Sequence, residues 1–138
     1  MIIILDTNFL FALKSRKDQY HQRAYELLTE IQKENTKYFT NYFILNETFT
    51  LAINRSRGNL SFLEQYISLF FGKDNFFQVI QNTPQEFVNI IEICKKYVSP
   101  KKLLSFADAS LIYLYQKINA DYLISFDSHF DNILTRKF

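Results

Sequence analysis

A chain of 138 residues, 48% of them hydrophobic, is long and apolar enough for one domain with a substantial core. Its 2 glycines and 2 prolines argue for long helices and against a loop-rich all-β fold, and a single cysteine, Cys94, excludes an intramolecular disulfide. The net charge of +2 excludes little alone, but the basic residues are grouped: Lys14, Arg16 and Lys17; Arg55 and Arg57; Lys95, Lys96, Lys101 and Lys102. If four acids were neutralised by metal, sixteen Lys and Arg would face ten acids, and that balance of +6 suits a polyanion. Ordinary solvated helix faces explain the grouping equally well. The opening Met1-Ile2-Ile3-Ile4-Leu5-Asp6 lacks the basic leader and apolar length of a signal peptide. No stretch approaches a membrane-spanning length, so the expected location is the cytoplasm.

Residues 2–5 are a continuous aliphatic run, β-branched at three of four positions, as in a central strand buried on both faces. Residues 18–34 read as a helix, because Ala24, Leu27, Leu28 and Ile31 recur at the spacing of one apolar stripe. Lys37 to Thr40 is a short strand. Residues 42–56 and 60–71 read as helices separated near Gly58, and Phe76 to Ile80 as a strand. Thr83-Pro84-Gln85-Glu86 is a helix start with a capping box and proline in the first turn. The helix it opens should present Phe87, Ile90, Ile91, Cys94 and Val98 on one buried face, with Cys94 in the core rather than reactive. Residues 106–118 form the next helix, with Ala107, Leu111, Leu114 and Ile118 in line. Tyr122 to Phe126 reads as a last buried strand, followed by a short C-terminal helix.

Strands alternating with helices imply an α/β layered domain over residues 1–138 with a central, mainly parallel sheet. Sites in such sheets form beyond the carboxyl ends of the strands. Asp6 directly follows the first strand and Asp127 the last. Glu47, on a helix, has Phe43, Ile44, Thr50 and Leu51 as neighbours within a turn, and no cation. Asp108 is flanked by Leu104, Ser105, Leu111 and Ile112, again with no cation. Burying an unpaired carboxylate costs roughly several kcal/mol, and one divalent cation compensates several acids at once. Each acid has a rival explanation: Asp6 and Asp127 as helix caps, Asp108 in a capping box with Ser105, Glu47 as a surface glutamate. Four together are harder to dismiss.

Asp6-Thr7-Asn8 after an apolar strand, Glu47 on a central helix, Asp108-Ala109 opening a later helix and Ser125-Phe126-Asp127 after a final strand resemble the PIN domain. This is the metal-dependent ribonuclease fold of VapC-type toxins and of RNA-processing nucleases. The resemblance covers the whole chain and implies a three-layer α/β/α architecture. It implies an acidic pocket of Asp6, Glu47, Asp108 and Asp127, both catalytic and metal-holding, with Asp6 and Asp108 as principal ligands of Mg²⁺ or Mn²⁺. Asn8 and Ser125 match supporting polar positions, and Asp131, one turn beyond Asp127, is a further candidate. Many members carry an acid two residues after the last aspartate, where this chain has His129. A polar or capping role for His129 is expected ahead of ligation, and no role is given to His21.

The implied reaction is hydrolytic cleavage of RNA phosphodiester bonds by water, without a covalent intermediate. The implied partners are single-stranded or looped RNA, a small antitoxin protein if the chain is a toxin, and a second copy in a homodimer. An RNA-processing nuclease and a non-catalytic RNA-binding scaffold are the alternatives. A haloacid-dehalogenase-like phosphatase is disfavoured because Asn8 stands where its second aspartate is needed. A receiver domain would need adjacent acids after the first strand, and a flap nuclease a longer chain.

Overall fold

The computed structural model describes residues 1–138. The elements run β1 (Ile2–Leu5), α1 (Thr7–Lys14), α2 (His21–Ile31), β2 (Lys37–Asn41), α3 (Tyr42–Ser56), α4 (Leu60–Phe71), β3 (Gln78–Ile80), α5 (Pro84–Tyr97), α6 (Phe106–Lys117), β4 (Tyr122–Ile124), a 3₁₀ turn (Ser128–Phe130) and β5 (Arg136–Lys137). The strands form one sheet in the order β3-β2-β1-β4-β5, parallel at every pairing. With six helices, this is the layered α/β/α architecture with a parallel central sheet.

β1 lies at the centre because its residues are the most uniformly aliphatic. Ile3, Ile4 and Leu5 are fully buried, as a strand covered on both faces requires. It pairs with β2 through Ile4↔Phe39 and with β4 through Leu5↔Ile124. The chain builds β1, β2 and β3 outward in one direction, then returns to lay β4 on the other side of β1. The junction of β1 and β4 is therefore the point where the strand order reverses, and a crevice opens there at the carboxyl ends.

The helix starts follow the expected chemistry. Asn41 caps α3 by accepting from the Ile44 amide at 3.2 Å, and Asn59 caps α4 by accepting from that of Phe62 at 2.9 Å. Capping boxes open α5 at Thr83 and Glu86, and α6 at Ser105 and Asp108. α3 ends where Arg57 (φ 54°) and Gly58 (φ 74°) turn left-handed, so the break near Gly58 begins one residue early.

Three expectations are corrected. The helix over 18–34 is shorter, starting at His21, and α1 precedes it from Thr7. The face of α5 is rotated: Glu86 and Ile90 are buried, whereas Phe87, Ile91 and Val98 are 40%, 45% and 41% exposed. Glu86 is turned inward to meet Lys117 and Tyr113 on α6, and that polar contact fixes which side of α5 faces the molecule. The C-terminal helix is absent. Its place is taken by the 3₁₀ turn and by β5, which adds to the edge of β4 through Leu123↔Arg136 and Ile124↔Lys137.

Candidate active site

Asp6 leaves β1 and enters α1, with its amide still in the sheet ladder to the Ile124 carbonyl at 3.1 Å. Its side chain is 4% exposed and has two partners. Oδ1 accepts from the Thr7 amide at 2.7 Å, and Oδ2 accepts from the Ser125 hydroxyl at 2.6 Å. Burial pushes the Asp6 carboxyl up to about 7, and the charges of Asp108 and Glu47 add to the rise, against the bonds from Ser125 and Thr7.

Ser125 is used to capacity. Besides donating to Asp6, its oxygen accepts from Asn8 Nδ2 at 3.2 Å and from the Asp127 amide at 3.0 Å. Asn8 Oδ1 accepts from the Phe126 amide at 3.0 Å. Asn8 on α1 therefore clamps the segment after β4, and Ser125 joins the two strand-end aspartates.

Glu47 reaches the same point from α3. Its Oε2 accepts from the Thr7 hydroxyl at 2.8 Å, and burial followed by the charge of Asp108 raises its carboxyl. Thr7 had no role in the sequence reasoning; its signal was the hydroxyl between two site positions, Asp6 and Asn8. Asp108, third residue of α6, spends Oδ2 on the Ser105 amide at 2.9 Å. Its carboxyl is raised mainly by burial and further by the charge of Asp127, and lowered by hydrogen bonding to Ser105 and by His129. Asp127 follows β4 and accepts from the His129 amide at 2.8 Å.

Asp6, Glu47, Asp108 and Asp127 thus come from four elements far apart in sequence; Asp6 feels the charges of Asp108 and Glu47, Glu47 that of Asp108, and Asp108 that of Asp127. One donor atom each from Asp108, Asp127 and His129 lie within 4.8 Å of one another. None of the four acids is ion-paired with a lysine or arginine, whereas Asp74 pairs with Lys14, Glu86 with Lys117 and Asp131 with Arg136. His129 Nδ1 stands 3.3 Å from Asp127 Oδ2, yet that buried nitrogen makes no hydrogen bond of acceptable geometry. Unpaired carboxylate oxygens with one unsatisfied imidazole nitrogen are a donor set that suits a divalent cation of the Mg²⁺ to Mn²⁺ kind.

Asp131 is set apart. Arg136 holds it in a two-pronged bond, Nε to Oδ1 at 2.7 Å and a terminal nitrogen to Oδ2 at 3.0 Å, and keeps its carboxyl below the ordinary range. Arg136 also donates to the Ser125 carbonyl at 3.0 Å, so the pair braces the last strand beside the pocket. His21 lies elsewhere, its Nδ1 2.6 Å from the Ala12 carbonyl.

A hollow of about 400 Å³ lies at the Glu47 side, lined by Thr7, Asn46, Glu47, Thr50, Leu51 and Asn54. It is open to solvent, and five of its six lining residues are polar.

Comparison with known proteins gives a consistent assignment. The family model described as the PIN domain matches residues 3–134. No curated protein matches the sequence. Among solved structures, Mycobacterium tuberculosis VapC20, described as a sarcin-ricin loop cleaving toxin, is similar at 23% identity with a TM-score of 0.75, covering 91% of this chain and 90% of that one. VapBC2 from Rickettsia felis, bound to a DNA fragment from its promoter, is similar at 16% identity and a TM-score of 0.65, covering 99% and 98%. FitAcB from Neisseria gonorrhoeae is similar at 14% identity and a TM-score of 0.68, covering 99% and 96%.

Proposed function

Given that this chain belongs to the PIN domain family, we propose that it is a metal-dependent endoribonuclease that hydrolyses RNA phosphodiester bonds, and that it serves as the toxin of a toxin–antitoxin pair. The observation that carries the reading is the gathering of four carboxylates, unpaired with any lysine or arginine, where β1 and β4 part. A structural role would leave such acids paired, as Asp131 and Glu86 are.

Asp6 and Asp108 would be the principal ligands, with Glu47 and Asp127 completing the set directly or through water, and His129 offering a nitrogen beside them. When bound, Mg²⁺ or Mn²⁺ supplies the positive charge that offsets the mutual repulsion of the acids, orients the phosphate and lowers the pKa of water. The chain's own part is to hold the acids still. Ser125 and the Thr7 amide fix both oxygens of Asp6, the Thr7 hydroxyl fixes Glu47, and the Ser105 amide takes one oxygen of Asp108 and leaves the other free. Immobile donors need little rearrangement at the moment of reaction, which is how a site of fixed charges lowers a barrier.

The toxin role is supported by the likeness to VapC20, described as a toxin, and to the VapBC2 assembly. It carries with it a small antitoxin protein, a homodimer and a cytoplasmic setting, with residues 1–138 acting as a single nuclease domain. No helix is long and apolar enough to cross a membrane.

RNA cleavage with Mg²⁺, Mn²⁺ or EDTA tests the proposal directly. Wild type should cleave only with metal, and Asp6→Asn and Asp108→Asn should each lose more than about 100-fold, beyond the 10- to 100-fold typical of outer-shell changes. Asp108→Asn keeps an oxygen for the Ser105 amide, so its loss would not reflect a lost cap. Cleavage that survives chelation, or full activity in both variants, would overturn the mechanism.

A further inference from the structure

A cleft of about 940 Å³ lies away from the acids, between the end of α1, the connection from α1 to α2, and the α3–α4 pair. Of its lining residues only Phe11 and Phe62 are apolar. Lys14, Arg16, Lys17 and Arg55 line it, with Asp18 the one acid.

We infer that this cleft binds the sugar–phosphate backbone of the RNA substrate, away from the bond that is cut. The inference rests on the ribonuclease reading and extends it. Two of the basic groups noted in the sequence, distant along the chain, meet here: Lys14, Arg16 and Lys17 from one, Arg55 from the other. Four cations against two acids, Asp18 in the lining and Asp74 tied to Lys14, give the cleft a local balance of +2, equal to that of the entire chain. The rest of the molecule is therefore neutral on balance, and the positive charge is concentrated in a concave surface, where a field is focused rather than dispersed.

The charges are also free to act. Lys14 is tied to Asp74 at 2.8 Å, but Arg16, Lys17 and Arg55 are exposed and take part in no ion pair or side-chain hydrogen bond. Asn59 and Gln65 add neutral hydrogen-bonding groups to the wall. A polyanion with regularly spaced phosphates matches three separated free cations; a hydrophobic segment does not match a wall so polar.

The position relative to the acids fits. Glu47 and Arg55 stand eight residues apart on α3, about 12 Å along its axis, roughly the rise of three or four stacked nucleotides. The hollow at Glu47 is lined by α3 as far as Asn54, and the cleft by Arg55 and Ser56 of the same helix. A strand with its scissile phosphate at the acids can continue along α3 into the cleft.

The test is equilibrium binding of a fluorescein-labelled single-stranded RNA across a range of KCl concentrations, in EDTA and on an Asp108→Asn background so that no cleavage intervenes. The triple variant Arg16→Ala/Lys17→Ala/Arg55→Ala should bind at least 10-fold more weakly at low salt. Its slope of log affinity against log salt should be shallower by about 2, three contacts at roughly 0.7 each. A control triple, Lys95→Ala/Lys96→Ala/Lys101→Ala, should change neither. Unaltered binding and slope in the first triple, equal losses in both, no RNA binding by the parent, or tight binding only of an acidic peptide would each overturn the inference. If the cleft binds RNA but the wild type never cleaves it, the ribonuclease reading fails while the cleft stands. If wild type cleaves and the first triple keeps its salt slope, the reverse holds.

Discussion

Asp6 caps α1 and faces the other acids at once, and its two oxygens divide the work. The same is true of Asp108, which closes the capping box of α6 with Oδ2, and of Asp127, which caps the 3₁₀ turn with Oδ1. Capping and metal-holding were rival explanations at the level of sequence, because residue type and spacing cannot say how many jobs one carboxylate does. In the structure all three do cap, and in the proposed reading the capping bonds would hold each carboxylate in place for the metal. His129 was legible as a departure, but the orientation of its Nδ1 toward Asp127 was not. The burial of Asp6 has a consequence for stability in the metal-free protein. Its carboxyl, held at about 7 in the fold against 3.8 ordinarily, keeps a proton that the unfolded chain releases. The folded state therefore binds more protons between about pH 4 and pH 7, and stability falls as pH rises through that window, by an amount on the order of a few kcal/mol. Asp6→Asn should flatten the decline. In urea titrations with EDTA the variant should come close to wild type near pH 4 and exceed it increasingly towards pH 8. Parallel curves across the window would contradict the account.

Each helix that serves the site begins with a polar side chain bonded to its own backbone, and this part of the design was readable in Ser105 and Asp108, as it was in Thr83 at the start of α5, but not in Asn41. The unread parts were decided by contacts between elements. The buried side of α5 was misplaced because its apolar residues spread around much of the helix, and the inward turn of Glu86 to Lys117 chose between faces. β5 was missed because Arg136 and Lys137 look like a polar tail; Arg136 is buried by stacking 4.0 Å from the Phe138 ring centroid and by its bond to Asp131. Two caps separate structure from function. Thr83→Ala, at the start of α5, should cost about 1 kcal/mol of stability and leave RNA cleavage unchanged. Ser105→Ala should cost a similar amount and also reduce cleavage, because the Ser105 hydroxyl accepts from the Asp108 amide in the box that aims that acid. Thermal melts and cleavage rates on the two variants check this. Equal activity in both would show that the α6 cap has no part in placing Asp108.

For the molecule as a whole, the decisive feature is the return of β4 to the far side of β1. It places Asp6 and Asp127 at adjacent strand ends, while Asp108 stands in the first turn of α6 and Glu47 on α3. The alternation of strands and helices was visible in residues 2–5, 37–40 and 122–126, and it led to a parallel sheet. Strand order was not visible, because the aliphatic runs of parallel strands look alike whichever neighbour they take. That order is what sets the ends of β1 and β4, and with them Asp6 and Asp127, side by side. The most direct measurement is X-ray diffraction from a crystal of wild type soaked in Mn²⁺, read as anomalous scattering. The account predicts a peak among Asp6, Glu47, Asp108 and Asp127 that disappears in Asp108→Asn. No peak there in wild type, or one that persists unchanged in the variant, would contradict it.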